Sequence, residues 1–294
     1  MYEDVVERVW RGRAASVMVL SGGITNHNLK VELDGGEAYV LRVAGRNTDL
    51  LGIDRRVELQ AAQQAAAIGV GPEVVAVVEP EGYLVTRFVA GESVPLERMR
   101  EPDTIRRVAQ TLRAVHQGPP LAGRFNSFRV VEEYRSIVFA RGGRVPGEYV
   151  RARQVARAVE RSRGAVPERP CHNDLLNANF IDDGARLRIV DWEYAGMGDV
   201  FFDLANFAVN HDLDEDARRV LLAAYAGREP REAEVRALEL MRFMSSFREA
   251  MWGVVQAAVS DVDFDFDSYA EEHFQRSAAI AAEPAFRAAL GAGA

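Results

Sequence analysis

Residues 172–179 read His-Asn-Asp-Leu-Leu-Asn-Ala-Asn, an H-x-D-x-x-x-x-N run, and Asp191 follows at the end of an apolar stretch over 187–190. Side chains of these types at this spacing suit phosphoryl transfer. A carboxylate at Asp174 can orient an attacking hydroxyl and take its proton. The amide oxygen of Asn179 and the carboxylate of Asp191 are hard oxygen ligands of the kind Mg2+ prefers beside nucleotide phosphates. Protein kinases use the same catalytic-loop spacing, with a second acid downstream. Here Asp191-Trp192-Glu193 stands in that place. The H-x-D tripeptide alone is weak, because an Asp in a turn is often only a cap. The full run, with its apolar strand and terminal acid, is far more specific.

These side chains need elements to hold them. The pattern reads as loop, strand, turn at Asp182-Asp183-Gly184, strand and acid, a small hairpin that brings Asp174, Asn179 and Asp191 to one end. Upstream, residues 16–20, 28–33 and 38–43 read as strands, with Asp34-Gly35-Gly36 turning between the last two. Gly22 and Gly23 fall in the first turn, where backbone N–H groups could approach phosphate oxygens, although an ordinary hairpin turn has the same composition. Arg42 sits mid-strand, in the place of the kinase lysine that contacts phosphates, unless it is a solvent-facing charge on an edge strand. A helix over 54–68 follows. Glu58 in its first turns is the natural partner for Arg42, though acids are common there in any helix. Residues 74–78 and 82–89 read as two more strands. Arg87 and Phe88 then begin a hinge whose backbone could hydrogen-bond an adenine.

The rest reads as mostly helical. Asp103 is expected to cap a helix closed by His116, which reads as structural. A helix covers 150–163. Asp203 begins an apolar helix, either as an ordinary first-turn acid or as support for the catalytic loop. A long helix over 234–259 carries an apolar stripe, and Trp252 lies just off it, at a pocket edge or in packing. The Ala- and Gly-rich end, 288–294, is expected to fray.

The chain has 294 residues and a net charge of −8, enough length for two lobes and the wrong sign for a nucleic-acid partner. Cys171 is the one cysteine, which points to a reducing cytoplasm; beside the catalytic loop it reads as a small buried apolar residue rather than a nucleophile. No apolar run reaches membrane-spanning length.

Taken together, Ser21-Gly-Gly-Ile-Thr-Asn26, Tyr39-Val-Leu-Arg-Val43, the 172–179 run, Val190-Asp-Trp-Glu-Tyr-Ala-Gly196, Asp203-Leu-Ala, Trp252-Gly-x-x-Gln256 and Asp267-x-Tyr269-Ala-x-x-x-Phe274 resemble the choline/ethanolamine kinase branch of the aminoglycoside phosphotransferase superfamily. The resemblance implies a bilobal, protein-kinase-like α+β fold. Its N-lobe would be an antiparallel sheet with one helix over 1–89, and its C-lobe would be helical over 90–294. It implies ATP and Mg2+, with Asp174 as catalytic base and Asn179 and Asp191 as metal ligands. Arg42 paired with Glu58 would lie near the phosphates, and Thr25 and Asn26 would belong to the phosphate-covering loop. His172 and Asp203 would support the catalytic loop. Trp252 and Tyr269 match two aromatic walls for a substrate ammonium. The position three after Trp252 holds Val255, where eukaryotic choline kinases carry a second tryptophan. That thinner cage leaves ethanolamine, another small amino alcohol, thiamine or a sugar as acceptors beside choline. An aminoglycoside acceptor, with Glu193 and the aspartates of 261–267 as recognition groups, is the rival within enzymes. A catalytically silent nucleotide-binding protein is the rival outside them, and the intact set Asp174, Asn179 and Asp191 speaks against it. Oligomeric state stays open, a homodimer included.

Overall fold

The computed structural model describes residues 2–20, 26–45 and 47–291. The chain enters through α1 (Glu3–Trp10), which lays Val6 and Trp10, one turn apart, on the first sheet. No helix is expected there from sequence, because two turns are too short for a period to register. β1 (Ala14–Leu20), β2 (His27–Leu33) and β3 (Ala38–Val43) form an antiparallel meander. After α2 (Arg55–Ala67), strands β4 (Val74–Val78) and β5 (Tyr83–Arg87) complete a sheet of order β1-β2-β3-β5-β4. β3 is therefore the central strand, so Arg42 is not an edge charge. Alternation sends Leu41 and Val43 into the core under α1, and Val40 and Arg42 to the opposite face.

Asp54 caps α2 by accepting from the Arg56 N–H. The Val57, Ala61 and Ala65 stripe of α2 packs into the large helical core, not into the core under the sheet. α2 thus carries Glu58 as part of the second body. The linker after β5 crosses tightly: a Cβ on Gly91 would lie 2.5 Å from the Asp182 carbonyl oxygen. It runs through β6 (Glu92–Ser93) and α3 (Leu96–Met99) to α4 (Pro102–His116). Asp103 is not the cap of α4. Pro102 has already entered the first turn, and the Asp103 carboxylate pairs with Arg106 at 2.5 Å.

α5 (Ser127–Ala140), α6 (Glu148–Arg163) and β7 (Arg169–Cys171) lead to the catalytic loop. The hairpin β8 (Phe180–Asp182) and β9 (Leu187–Ile189) comes next, then β10 (Gly196–Gly198), which pairs with β7. α7 (Val200–Asn210) is capped by Asp199, leaving Asp203 free to point elsewhere. α8 (Glu215–Ala226) precedes α9 (Glu232–Val259), a 28-residue helix buried on nearly all sides between α5, α7 and α10 (Phe266–Ala282). Of the stretch expected to fray, 288–291 belong to α11 (Pro284–Gly291), fixed by buried Phe286 and Ala289, and 292–294 lie outside the described residues. Among the described residues, no helix is long and apolar enough to cross a membrane.

Candidate active site

The β8–β9 hairpin closes at its open end, where the Val190 N–H donates to the Asn179 carbonyl at 3.0 Å. Asn179 and Asp191 are thereby side by side. Asp174 joins them because the Asn179 side-chain amide donates to the Asp174 carbonyl at 2.9 Å, which leaves the amide oxygen to face away. Asp191 has φ +67, a left-handed conformation rare for a non-glycine residue. Burial pushes the Asp174 carboxyl well above the usual carboxylate range. Arg248, 3.7 Å away, opposes that shift, and nearby Glu249, Asp191 and Glu193 reinforce it.

The loop rests on a buried scaffold. Asp203 accepts from the backbone N–H of His172 at 2.8 Å and of Asn173 at 2.7 Å. Its third donor is His116 Nε2 at 3.0 Å, and the Tyr225 hydroxyl donates to His116 Nδ1 at 2.8 Å. Burial would push the Asp203 carboxyl up, but the His116 hydrogen bond, with help from His172, holds it low. His172 accepts the Asp174 N–H on Nδ1 and donates from Nε2 to the Val190 carbonyl. One neutral ring thus ties the Asp174 loop to the strand that ends in Asp191, and burial depresses its pKa. Asn206 accepts the Leu175 N–H at 2.6 Å. Burial keeps the Cys171 thiol protonated, so it takes no part in this chemistry.

On the sheet side, Arg42 is 8% exposed and meets three carboxylates. Its guanidinium lies 3.0 Å from Glu58, 2.5 Å from Asp191 and 2.9 Å from Glu193. Burial disfavours the charge, but the three acids outweigh it and raise the Arg42 pKa. Arg55 adds a second cation, 2.6 Å from Glu58 and 3.5 Å from Glu193. Asn26 donates to Glu193 at 3.0 Å. Glu193 is therefore engaged inside this cluster. Gly22, Gly23 and Thr25 lie outside the described residues.

Between the lobes is a cleft of about 300 Å3, lined by Val40 and Leu84 on the sheet side and by Asn179 and Asp191 below. Arg87 and Phe88 line it too. Their backbone N–H groups donate to the Glu73 and Ala38 carbonyls, so neither N–H is open to a bound base. The Phe88 ring carries the Lys30 ammonium 4.4 Å from its centroid.

On the far side of Asp174, α9 and α10 form a wall. The Trp252 and Tyr269 rings are 5.4 Å apart and near-perpendicular. Trp252 donates its indole N–H to the Tyr194 hydroxyl at 2.9 Å, and Tyr269 donates its hydroxyl to Glu249 at 3.0 Å. Arg248, 1% exposed, bonds Glu249 and the Asn173 carbonyl and lies over the Tyr194 ring at 4.5 Å. The aspartates of 261–267 are exposed, and Asp265 caps α10.

Residues 16–238 match the model of the phosphotransferase enzyme family APH. The chain belongs to this family. Within the family it falls in the choline/ethanolamine kinase branch. A choline/ethanolamine kinase family protein from Mesorhizobium loti superposes with a TM-score of 0.85 at 30% identity, covering 99% of both chains. Ethanolamine kinase 2 of Rattus norvegicus is 29% identical over 91% of this chain and 76% of its own length. Choline kinase LicA from Streptococcus pneumoniae shares the fold, with a TM-score of 0.82 at 21% identity over 95% of this chain and 98% of its own. The branch member described here is a phosphotransferase with an alcohol group as acceptor, and its fold is the bilobal α+β kinase-like one.

Sequence reasoning passed over four residues that the structure brings to this loop and cluster, Arg248, Glu249, Asn206 and Arg55. Arg248 and Glu249 are the two charged residues in the buried stretch Phe243–Val259 of α9, and that anomaly was the available signal. Asn206 is a comparable polar intrusion in α7. Arg55 had no signal, because an arginine in a first helical turn is ordinary.

Proposed function

We propose that this phosphotransferase transfers the γ-phosphate of ATP, with Mg2+, to the hydroxyl of a small amino alcohol, ethanolamine or choline. The observation that carries the reading is the closed hairpin end, which sets Asn179 and Asp191 beside Asp174 at the junction of the cleft and the aromatic wall. The donor set fits a hard cation: one amide oxygen and one carboxylate, both on the cleft. Asn179 and Asp191 would hold Mg2+, which neutralises phosphate charge when bound. Asp174 orients the acceptor hydroxyl and takes its proton, and its raised pKa suits it to hold that proton. Arg42, kept in place by Glu58, offers a planar fork to phosphate oxygens. The 22–26 loop would cover the phosphates, with the nucleotide between lobes divided near residue 89. Trp252 and Tyr269 offer faces to the substrate ammonium. Names of relatives, an ethanolamine kinase and a choline kinase, support the same acceptor class.

Phosphorus NMR of a reaction with ATP, Mg2+ and either amino alcohol tests this directly. The expected result is a new phosphomonoester that requires divalent cation. Nucleotide turnover with neither alcohol, alongside turnover of thiamine or an aminoglycoside, would overturn the acceptor assignment.

A further inference from the structure

Glu249 has no role in the chemistry above, yet it sits between the wall and the reacting end. On α9 it lies one turn before Trp252, on the same face. On α10, Tyr269 reaches it with its hydroxyl at 3.0 Å. That approach depends on Gly253, where a Cβ would come within 3.0 Å of the Ala270 Cβ and 3.1 Å of its nitrogen. Arg248 links Glu249, at 2.5 Å, to Asp174, at 3.7 Å. Two carboxylates share one cation, so Glu249 does not have Arg248 to itself.

We propose that Glu249, with Tyr269, makes the acceptor site select ammonium groups that still carry N–H bonds, so that ethanolamine is preferred over choline. The inference rests on the amino-alcohol reading above. Because Tyr269 gives its hydroxyl proton to Glu249, its oxygen presents lone pairs to an incoming donor. A primary ammonium has three N–H donors for these lone pairs and for the carboxylate. A trimethylammonium has none. It would have to be held by aromatic faces alone while shielding Glu249 from water without returning a hydrogen bond. Val255, one turn from Trp252, is fully buried and adds no aromatic face. A site built to bond N–H groups discriminates sharply against an analogue that lacks them.

The test is a methylation series: kcat/KM for ethanolamine, its N-methyl and N,N-dimethyl forms, and choline. The proposal expects a fall along the series, with the steepest step, about 10- to 100-fold, at the last methyl, where the last N–H is lost. Glu249→Gln should raise the ethanolamine KM by about 100-fold, leave the KM for ATP unchanged and flatten the series. Should that variant fold poorly, Tyr269→Phe keeps the ring and removes the oxygen; it should weaken ethanolamine and spare choline. Calorimetric binding of ethanolamine and choline to the intact chain should show the same order. Choline as the best substrate, or variants that weaken all four equally, would overturn the role of Glu249 and leave the amino-alcohol reading standing. Turnover of none of the four, with turnover of another alcohol, would overturn that reading itself.

Discussion

The scaffold under the catalytic loop and the Arg42 cluster flank Asp191 and are built in opposite ways. In the scaffold, backbone N–H groups and one imidazole converge on a few fixed, buried acceptors. Asp203 takes two backbone N–H groups and one imidazole, and His172 and Asn206 take one backbone N–H each. In the cluster, two arginines are shared among Glu58, Asp191 and Glu193, and Arg42 Nη2 alone serves two acids. Bonds anchored on backbone N–H groups fix one geometry. Shared ion pairs can exchange partners, because an acid that leaves Arg42 leaves the other two still paired. Under the proposed function, the contrast suits a catalytic base that must stay still while the phosphate-facing side adapts to an incoming charged ligand.

Breaking the scaffold should have the larger effect. Asp203→Ala leaves three buried donors without an acceptor, and should lower stability by about 3–5 kcal/mol in urea denaturation. A loss under 1 kcal/mol would mean the loop is held elsewhere.

Acid should reach the same region through its neutral histidines. Burial holds His211, at the end of α7, down to about 4 against an ordinary 6.5. Between those values the unfolded chain binds a proton that the native ring refuses. Stability is therefore full above pH 6.5 and falls as pH drops towards 4, by up to about 3 kcal/mol. Denaturation midpoints from pH 7.5 to 4.5 should show that slope, and His211→Gln should reduce it.

The cluster should tolerate more. Arg42→Lys keeps the charge but cannot span Glu58 and Asp191 as a fork does. A stability loss of about 1–2 kcal/mol is expected, with a larger rise in the KM for ATP. A loss as large as that of Asp203→Ala would erase the distinction between the two regions. Smallest of all, Asp54→Ala removes the cap of the helix that carries Arg55 and Glu58, at about 1 kcal/mol by thermal denaturation.

How much of this was legible in the sequence follows the same division. The hairpin could be read, because its strands, its turn and its terminal acid are contiguous and their spacing fixes which residues meet. The Arg42–Glu58 contact could be read because both residue types have recognisable places on a strand and a helix. The further reach of Arg42 to Asp191 and Glu193 could not, since it joins positions about 150 residues apart through packing that no local pattern encodes. Glu193, expected at the substrate, faces Arg42 and Arg55 for that reason. The role of His116 was hidden likewise: its place at a helix end is visible, but its bond to Asp203 depends on how α4 packs on α7. Residues 288–291 misled through composition, because Ala and Gly suggest fraying while two buried residues suffice to hold a last helix.

The central claim is that Asp174 performs the proton-taking step for an amino-alcohol hydroxyl. The most direct measurement is steady-state ADP release with ATP, Mg2+ and ethanolamine, comparing the native chain with Asp174→Asn. A kcat lower by about 10²–10⁴-fold in the variant, with an unchanged unfolding midpoint, is the predicted result. A variant that turns over at the native rate would contradict it.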